Sequence, residues 1–173
     1  MLYQEKKATF TITIVKIALI ISGIIAGFAI SRIVIVPFRM PDNSMEPNVH
    51  KGDTLIILKH LSPEPGDIVI FDSPAEPGRV LIKRVISTEG DAVEIRDKAV
   101  YINNKKFDFR WKTRSVDKRI FPMIFTHRDA MPALKTGRNQ YFVLSDNLDQ
   151  GFDSRTLGLI RKASIIGKMI YKY

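Results

Sequence analysis

A serine and a lysine are the first candidates for chemistry in this chain. Ser44 opens a Ser-Met-Glu-Pro tetrad, and Lys83 lies within the run Val80–Ile86, which is rich in β-branched residues. If that run is a strand, Lys83 shares a face with Leu81 and Val85, because side chains alternate between the two faces. Burial there lowers the pKa of a lysine from about 10.4 and lets its neutral amine act as a base. The pair therefore has the chemistry of a serine nucleophile activated by a lysine.

Each of these residues also has a simpler interpretation. A serine in a proline-containing loop is usually a turn residue. A lysine between apolar neighbours commonly protects the edge strand of a sheet against aggregation. Taken alone, the two residues do not decide between these interpretations and catalysis.

The composition narrows the kinds of site that the chain can hold. It contains no cysteine, which rules out disulfides, thiolate nucleophiles and cysteine-ligated metals. Three histidines are scattered without the spacing of a metal site, at His50, His60 and His127. The sequence therefore offers no recognisable metal site.

Seven short runs of β-branched and apolar residues predict the strands that position Ser44 and Lys83. Turn residues bound each run, and the sequence Arg-Asp-Lys at 96–98 predicts the turn of a hairpin. No segment after residue 37 has a long helical period, so we expect a mainly β, antiparallel catalytic domain. The runs are Thr54–Leu58, Asp67–Phe71, Val80–Ile86, Ala92–Ile95, Ala99–Ile102, Tyr141–Leu144 and Ser164–Tyr171.

The N-terminal part of the chain has a different composition. Ile12–Ile30 is almost wholly apolar, and a helix of this length spans a hydrocarbon core of roughly 30 Å. We expect a tail at 1–11, one transmembrane anchor at 12–36, and a β-rich domain at 37–173. A cleaved signal peptide is the alternative, because 29–31 reads Ala-Ile-Ser, although the apolar run resumes directly after it.

A basic segment interrupts the β pattern at Lys105–Arg119. It has seven basic and two acidic residues, interleaved with Phe107, Phe109 and Trp111. It begins an insertion at about 105–138 for which three roles stay open: a solvated surface hairpin, a membrane-binding surface, or a site for single-stranded nucleic acid. The formal net charge of +9 favours anionic partners in general.

Four blocks, in this order, resemble the type I signal peptidases, a family of serine proteases with a Ser-Lys dyad. The resemblance runs from the apolar N-terminal span to the last strand, apart from 105–138. It implies a membrane-bound serine endopeptidase that removes signal peptides from exported preproteins and needs no metal or cofactor. The blocks are the tetrad at 44–47, Gly-Asp-Ile-Val-Ile-Phe at 66–71, Ile-Lys-Arg-Val-Ile at 82–86 followed by Gly90-Asp91, and 145–155 followed by Gly158.

The resemblance also implies a role for individual residues. Lys83 would deprotonate Ser44, whose backbone N–H would help to stabilise the oxyanion of the intermediate. Asp146, Asp153 and Arg155 match a structural block beside the site. Five apolar residues match positions that line shallow pockets for small substrate side chains: Phe38, Met40, Met45, Val49 and Ile82.

Two positions depart from the family pattern. Asp42 stands where the family often has Ser or Gly, two residues before the nucleophile, and an ionised carboxylate cannot donate to an oxyanion. A main-chain group or Asn43 would then have to compensate. Gly151 stands where the family usually has a serine that hydrogen-bonds the lysine. Both departures favour an inactive homologue that binds secretory chains, whereas Ser44 and Lys83 favour an active enzyme.

The predicted partners and location follow from the same resemblance. The partners are preproteins with signal peptides and membrane lipids, with no nucleic acid. The location is the cytoplasmic membrane, with a single span and the catalytic domain on the extracytoplasmic side, or alternatively the mitochondrial inner membrane. A self-cleaving Ser-Lys regulator is a further alternative, but the apolar span argues against it.

Overall fold

The computed structural model describes residues 15–28 and 34–173. The chain divides into two compact units, Met1–Val36 and Pro37–Tyr173. Residues 15–28 form helix α1. The predicted anchor at 12–36 lies partly outside the described residues. Within the ranges that are described, no helix is long and apolar enough to cross a membrane.

Eleven strands occur in the described residues, and they form two sheets. They are β1 Ile35–Arg39, β2 Thr54–Lys59, β3 Ile68–Asp72, β4 Val80–Ser87, β5 Ala92–Arg96, β6 Ala99–Ile102, β7 Lys105–Lys106, β8 Met131–Lys135, β9 Gln140–Leu144, β10 Ile160–Arg161 and β11 Ile165–Lys172. The larger sheet has the order β1-β2-β11-β3-β4-β9-β10, and the smaller has the order β7-β6-β5-β8. The strand pairs whose register is resolved are antiparallel, and one isolated bridge outside the strands is parallel.

The mainly β, antiparallel architecture predicted from the sequence is confirmed. The hairpin turn is present between β5 and β6, where Asp97 and Lys98 both have positive φ angles of 46° and 69°. A two-residue turn of this kind matches the right-handed twist of the flanking strands. One short helix, α2 at Ser154–Leu157, and a 3₁₀ turn at Lys162–Ser164 complete the described elements of Pro37–Tyr173.

Strands β1, β7, β8 and β10 were not predicted, for physical reasons that differ. β7 and β10 have two residues each, too few to show a periodic pattern. β1 and β8 contain Pro37 and Pro132, and both strands lie at sheet edges, where a proline is tolerated. β1 also begins at Ile35, inside the segment predicted as anchor.

Strand β4 carries Lys83 through the middle of the larger sheet, between β3 and β9. Its residues from Leu81 onward are all buried. Leu81 and Val85 pack in one apolar cluster with Val69 of β3, while Ile82 packs in another. The interpretation of Lys83 as an edge-strand lysine is therefore wrong, since β4 has neighbours on both sides.

Gly167 allows β11 to pack closely against β2. A Cβ at this position would lie 2.6 Å from the Leu58 carbonyl oxygen and 2.8 Å from Ile57 Cγ2. We expect Gly167→Ala to lower the free energy of unfolding by about 1–3 kcal/mol, because backbone must shift to admit the methyl group. Denaturant unfolding measures this change. Gly151→Ala is the matched control, because its Cβ would meet no atom closer than 3.8 Å. Equal midpoints of denaturant unfolding for the two variants would contradict the close packing at Gly167.

Candidate active site

Ser44 lies in a tight loop between β1 and β2. Two bonds to the Met45 carbonyl close the loop, from the N–H groups of Asn48 at 3.0 Å and Val49 at 2.9 Å. The side chains of Met45 and Val49 are fully buried and anchor the loop to the core. The loop therefore holds the Ser44 backbone in one position against the sheet.

A second segment, 145–155, fixes this loop from the other side. The backbone N–H of Asn147 donates to the Ser44 carbonyl at 2.9 Å. The Asn48 side chain donates to Asp146 Oδ2 at 2.8 Å and to the Lys112 carbonyl at 2.6 Å. The predicted structural block thus contacts the loop that carries Ser44 directly. Sequence reasoning did not identify Asn48 or Asn147, although the latter stands inside the predicted block.

The structure brings the two predicted catalytic side chains together. Lys83 Nζ lies 2.7 Å from Ser44 Oγ, and each residue is only 2% exposed. Burial lowers the pKa of Lys83, while the negative charges of Asp42 and Asp153 act in the opposite direction. A neutral amine at hydrogen-bond distance from a hydroxyl can accept its proton. The pair therefore has the geometry of a nucleophile and its base.

Asp42 forms a hydrogen bond with the backbone of the same serine. Its Oδ1 accepts a hydrogen bond from the Ser44 N–H at 2.9 Å. Burial would raise the pKa of Asp42, but hydrogen bonds from Ser44 and the charge of Lys83 outweigh it, and the pKa is lowered. The N–H to which the family resemblance gave the oxyanion role is thus already bonded to a carboxylate.

Asp146 forms a buried ion pair with Arg84, a residue that sequence reasoning did not assign. Arg84 Nε and Nη2 donate to the two Asp146 oxygens at 2.8 and 2.6 Å. Arg84 also donates to the Gly66 carbonyl at 2.7 Å and lies over the ring of Trp111. The only available signal was a second basic residue next to Lys83 in a buried strand. This pair ties the segment 145–155 to β4.

Asp153 and Arg155 form the second ion pair of this segment. Arg155 donates to both Asp153 oxygens, at 2.9 and 2.7 Å, and Asp153 has no exposed surface. Asp153 also accepts from the Ser145 N–H at 3.0 Å, at the end of β9. Further Arg155 bonds reach the carbonyls of Leu148 and Gln150. The pair therefore shapes the loop beside the dyad.

The five apolar residues predicted to line substrate pockets lie in one cluster. Four are buried and Phe38 is partly buried against them. The cluster is continuous with the loop that carries Ser44, through Met45 and Val49. The structure therefore groups this set around one region: Phe38, Met40, Met45, Val49 and Ile82.

Gly151 and Ser145 bear on how Lys83 is held. A Cβ at Gly151 would meet only the Arg128 side chain, at 3.8 and 3.9 Å, and the residue is not in the left-handed region. Ser145 Oγ is buried without a hydrogen-bond partner in the described residues. Arg84 pairs with Leu144, and the same register continued by one residue sets Ser145 opposite Lys83. Besides Ser44, Ser145 is therefore a second hydroxyl residue that the strand register brings to Lys83.

The basic segment contributes packing to the site. Arg114 forms an ion pair with Glu46 of the loop that carries Ser44. Its backbone N–H donates to the Asp146 carbonyl, and its carbonyl accepts from the Leu148 N–H. The rings of the segment are partly buried and contact one another, with centroids 5.2–6.0 Å apart, at Phe107, Phe109 and Trp111. Stacking of nucleic-acid bases needs free ring faces, and this packing leaves less of each ring available for it.

The Asp153–Arg155 pair yields a pH-dependent prediction. Bonds from Arg155 and Ser145 overcome the effect of burial and lower the Asp153 pKa. The ionised Asp153 carboxylate therefore stabilises the fold fully above about pH 3.9, the pKa that it has in the unfolded chain. This stabilisation is lost as the pH falls through the lower pKa that it has in the folded chain. We expect Asp153→Asn to lower the free energy of unfolding by about 3–5 kcal/mol at pH 7, and the difference from wild type to narrow below about pH 4.

Urea unfolding at several pH values tests this expectation. Asp108→Asn is the control, because Asp108 is exposed and its replacement should change little. A difference between wild type and Asp153→Asn that is constant from pH 7 to pH 3 would contradict the role given to the charge.

Comparison with known proteins identifies the family. The family model described as signal peptidase, peptidase S26, matches residues 11–173. Signal peptidase I of Bacillus licheniformis is 31% identical over 153 residues, covering 86% of this chain and 81% of the relative. Thylakoidal processing peptidase 1 of Arabidopsis thaliana is 30% identical over 151 residues, covering 79% of this chain but only 41% of its own length. A solved signal peptidase I from Enterococcus faecalis V583 aligns at 27% identity with a TM-score of 0.49, over 64% of this chain and 98% of its own. The family model covers nearly the whole sequence, and the chain belongs to the signal peptidase family of serine endopeptidases, peptidase S26.

Proposed function

We propose that the protein is a membrane-bound endopeptidase that removes N-terminal signal peptides from exported preproteins, with Ser44 as nucleophile and Lys83 as general base. The observation that carries the proposal is the distance of 2.7 Å between Lys83 Nζ and Ser44 Oγ in a buried site. The Bacillus licheniformis relative described above is named signal peptidase I, which supports signal peptides as the substrate.

The reaction follows from the positions of the two side chains. The neutral amine of Lys83 accepts the hydroxyl proton as Ser44 Oγ attacks the scissile carbonyl. The resulting ammonium returns that proton to the departing amine, and an acyl ester remains on Ser44. Lys83 then deprotonates a water molecule, which hydrolyses the ester and restores the hydroxyl.

The apolar cluster beside Ser44 supports a preference for small substrate side chains. Met40, Met45 and Ile82 are already buried against one another. A cluster packed in this way leaves room only for shallow pockets. We propose that its five residues, Phe38, Met40, Met45, Val49 and Ile82, line the sites for the first and third residues before the cut.

Attachment to a membrane is a further part of the proposal. It rests on the apolar run Ile12–Ile30 and on its length of about one bilayer core. We propose a single span with the catalytic domain on the extracytoplasmic side of the cytoplasmic membrane. The relatives described above are bacterial or chloroplastic, which gives the mitochondrial alternative no support.

An inactive homologue that binds secretory chains is the second candidate. It is favoured by one observation, the bond from the Ser44 N–H to Asp42 that occupies the expected oxyanion donor. The buried, closely spaced Ser44 and Lys83 side chains argue against it, because an unused buried lysine would only lower stability.

The dyad predicts that its two members act as one unit. We expect Ser44→Ala and Lys83→Ala each to lower cleavage of a labelled preprotein by about 10⁴-fold or more, and the double variant to be no worse. Ser62→Ala is the control, because Ser62 is exposed and distant in the sequence from the dyad. Near wild-type turnover by purified, folded Lys83→Ala would overturn the assignment of the base.

The lowered pKa of Lys83 predicts the pH dependence of the rate. Because only the neutral amine can accept a proton, kcat/KM should be low in acid and rise as pH crosses the Lys83 pKa. Since burial depresses that pKa, the plateau should be reached well below the ordinary value of about 10.4. A rate that is still climbing at about pH 10 would mean that Lys83 titrates normally, against the proposal.

Gly151 offers a gain-of-function test. Its backbone is outside the left-handed region and its Cβ position is free of close contacts, so Gly151→Ser should keep the melting temperature of the wild type. The family resemblance gives a hydroxyl at this position the role of orienting the Lys83 amine, so we expect Gly151→Ser to raise kcat modestly. Unchanged kcat in a fully stable variant would mean that another group already orients Lys83, and Ser145 is then the residue to replace next.

A further inference from the structure

The Ser44 N–H has two uses that exclude each other. In the structure it donates to Asp42 Oδ1 at 2.9 Å. During the proposed reaction the same N–H would donate to the oxyanion of the tetrahedral intermediate. A carboxylate at that position would also repel the developing negative charge. The N–H can serve the reaction only after the Asp42 side chain has moved away.

We propose that Asp42 is a displaceable carboxylate that holds the site in a resting state, bonded to the Ser44 N–H until a bound substrate replaces it. This inference rests on the proposed function and concerns the regulation of the same site. An aspartate that accepts from the N–H two residues later is a common feature of turns. Asp42 differs because this N–H belongs to the nucleophile and because its charge also acts on Lys83.

The burial of the dyad agrees with a resting state. Ser44 and Lys83 are each 2% exposed, whereas Asp42 is half-buried. Because Ser44 is almost fully buried, a substrate carbonyl can reach its Oγ only after neighbouring groups have moved. The charge of the exposed Arg79 guanidinium, which is paired with Glu76, attracts the Asp42 carboxylate as well.

Four charged groups act on the Lys83 amine. Asp42 and Asp153 favour its protonated form, whereas Arg155 and Arg79 disfavour it. In the resting state Asp42 therefore makes Lys83 a less available base. Its displacement would free the oxyanion donor and lower the Lys83 pKa in the same step.

Protonation of the Asp42 carboxylate does not release the Ser44 N–H at ordinary pH. The bonds from Ser44 keep the pKa of Asp42 below its usual range, so the carboxylate stays ionised above about pH 4. Release therefore depends on substrate contacts, and the resting state persists across the pH range in which the lysine titrates.

Three variants test the proposal in the full chain. Asp42→Ala removes the acceptor, Asp42→Asn removes the charge but keeps the shape, and Asp108→Asn is the control at an exposed site. We expect the two Asp42 variants to raise kcat/KM on a labelled preprotein by about tenfold, because a charge-assisted hydrogen bond no longer has to break. The acid limb of the pH–rate profile should also move to lower pH, which a merely structural role would not cause.

Nuclear magnetic resonance supplies readouts that do not depend on cleavage. In Asp42→Ala the Ser44 amide proton should shift upfield as its bond to the carboxylate is lost, and the Lys83 Nζ titration should move to lower pH. If wild type cleaves but neither variant changes the rate, the amide shift or the lysine titration, the inference is overturned and the proposed function stands. If nothing cleaves while both resonances change, the contact is supported and the proposed function fails.

Discussion

The structure of the site depends on the burial of one amine beside one hydroxyl. A lysine in water is almost wholly protonated at neutral pH and cannot accept a proton. Burial on a central strand removes the solvation of its charged form, and this is the main cause of the lowered Lys83 pKa. The apolar clusters on both faces of β4 are what make that burial possible. The sheet is therefore part of the chemistry as well as its support.

Two buried ion pairs position the remainder of the site. Arg84–Asp146 joins β4 to the segment 145–155, and Asp153–Arg155 fixes the loop of the same segment. Asn147 connects this segment to Ser44, because its backbone N–H donates to the Ser44 carbonyl. Buried pairs of this kind contribute little net stability, but removing one partner is strongly destabilising. They thus hold one arrangement of the loops around the dyad.

Different parts of this arrangement were accessible from the sequence to different degrees. Alternating apolar runs predicted strands such as Val80–Ile86, because each presents a face to the core. Ser44 and Lys83 are 39 residues apart, so no local pattern could pair them, and only the order of the motifs did so. The contact between Asp42 and the Ser44 N–H depends on the loop conformation, and an acidic residue two positions before Ser44 was its only signal in the sequence. The partner of Asp146 was missed because an arginine next to Lys83 gives no indication of which carboxylate it meets.

The central claim is that Ser44, activated by Lys83, forms a covalent intermediate. The most direct measurement is mass spectrometry of the protein after rapid acid quenching of its reaction with a preprotein. The account predicts an acyl ester on the peptide that contains Ser44, present in the wild type and absent from Lys83→Ala. Continued turnover with an acyl group on another residue, or an undiminished Ser44 ester in Lys83→Ala, would contradict it.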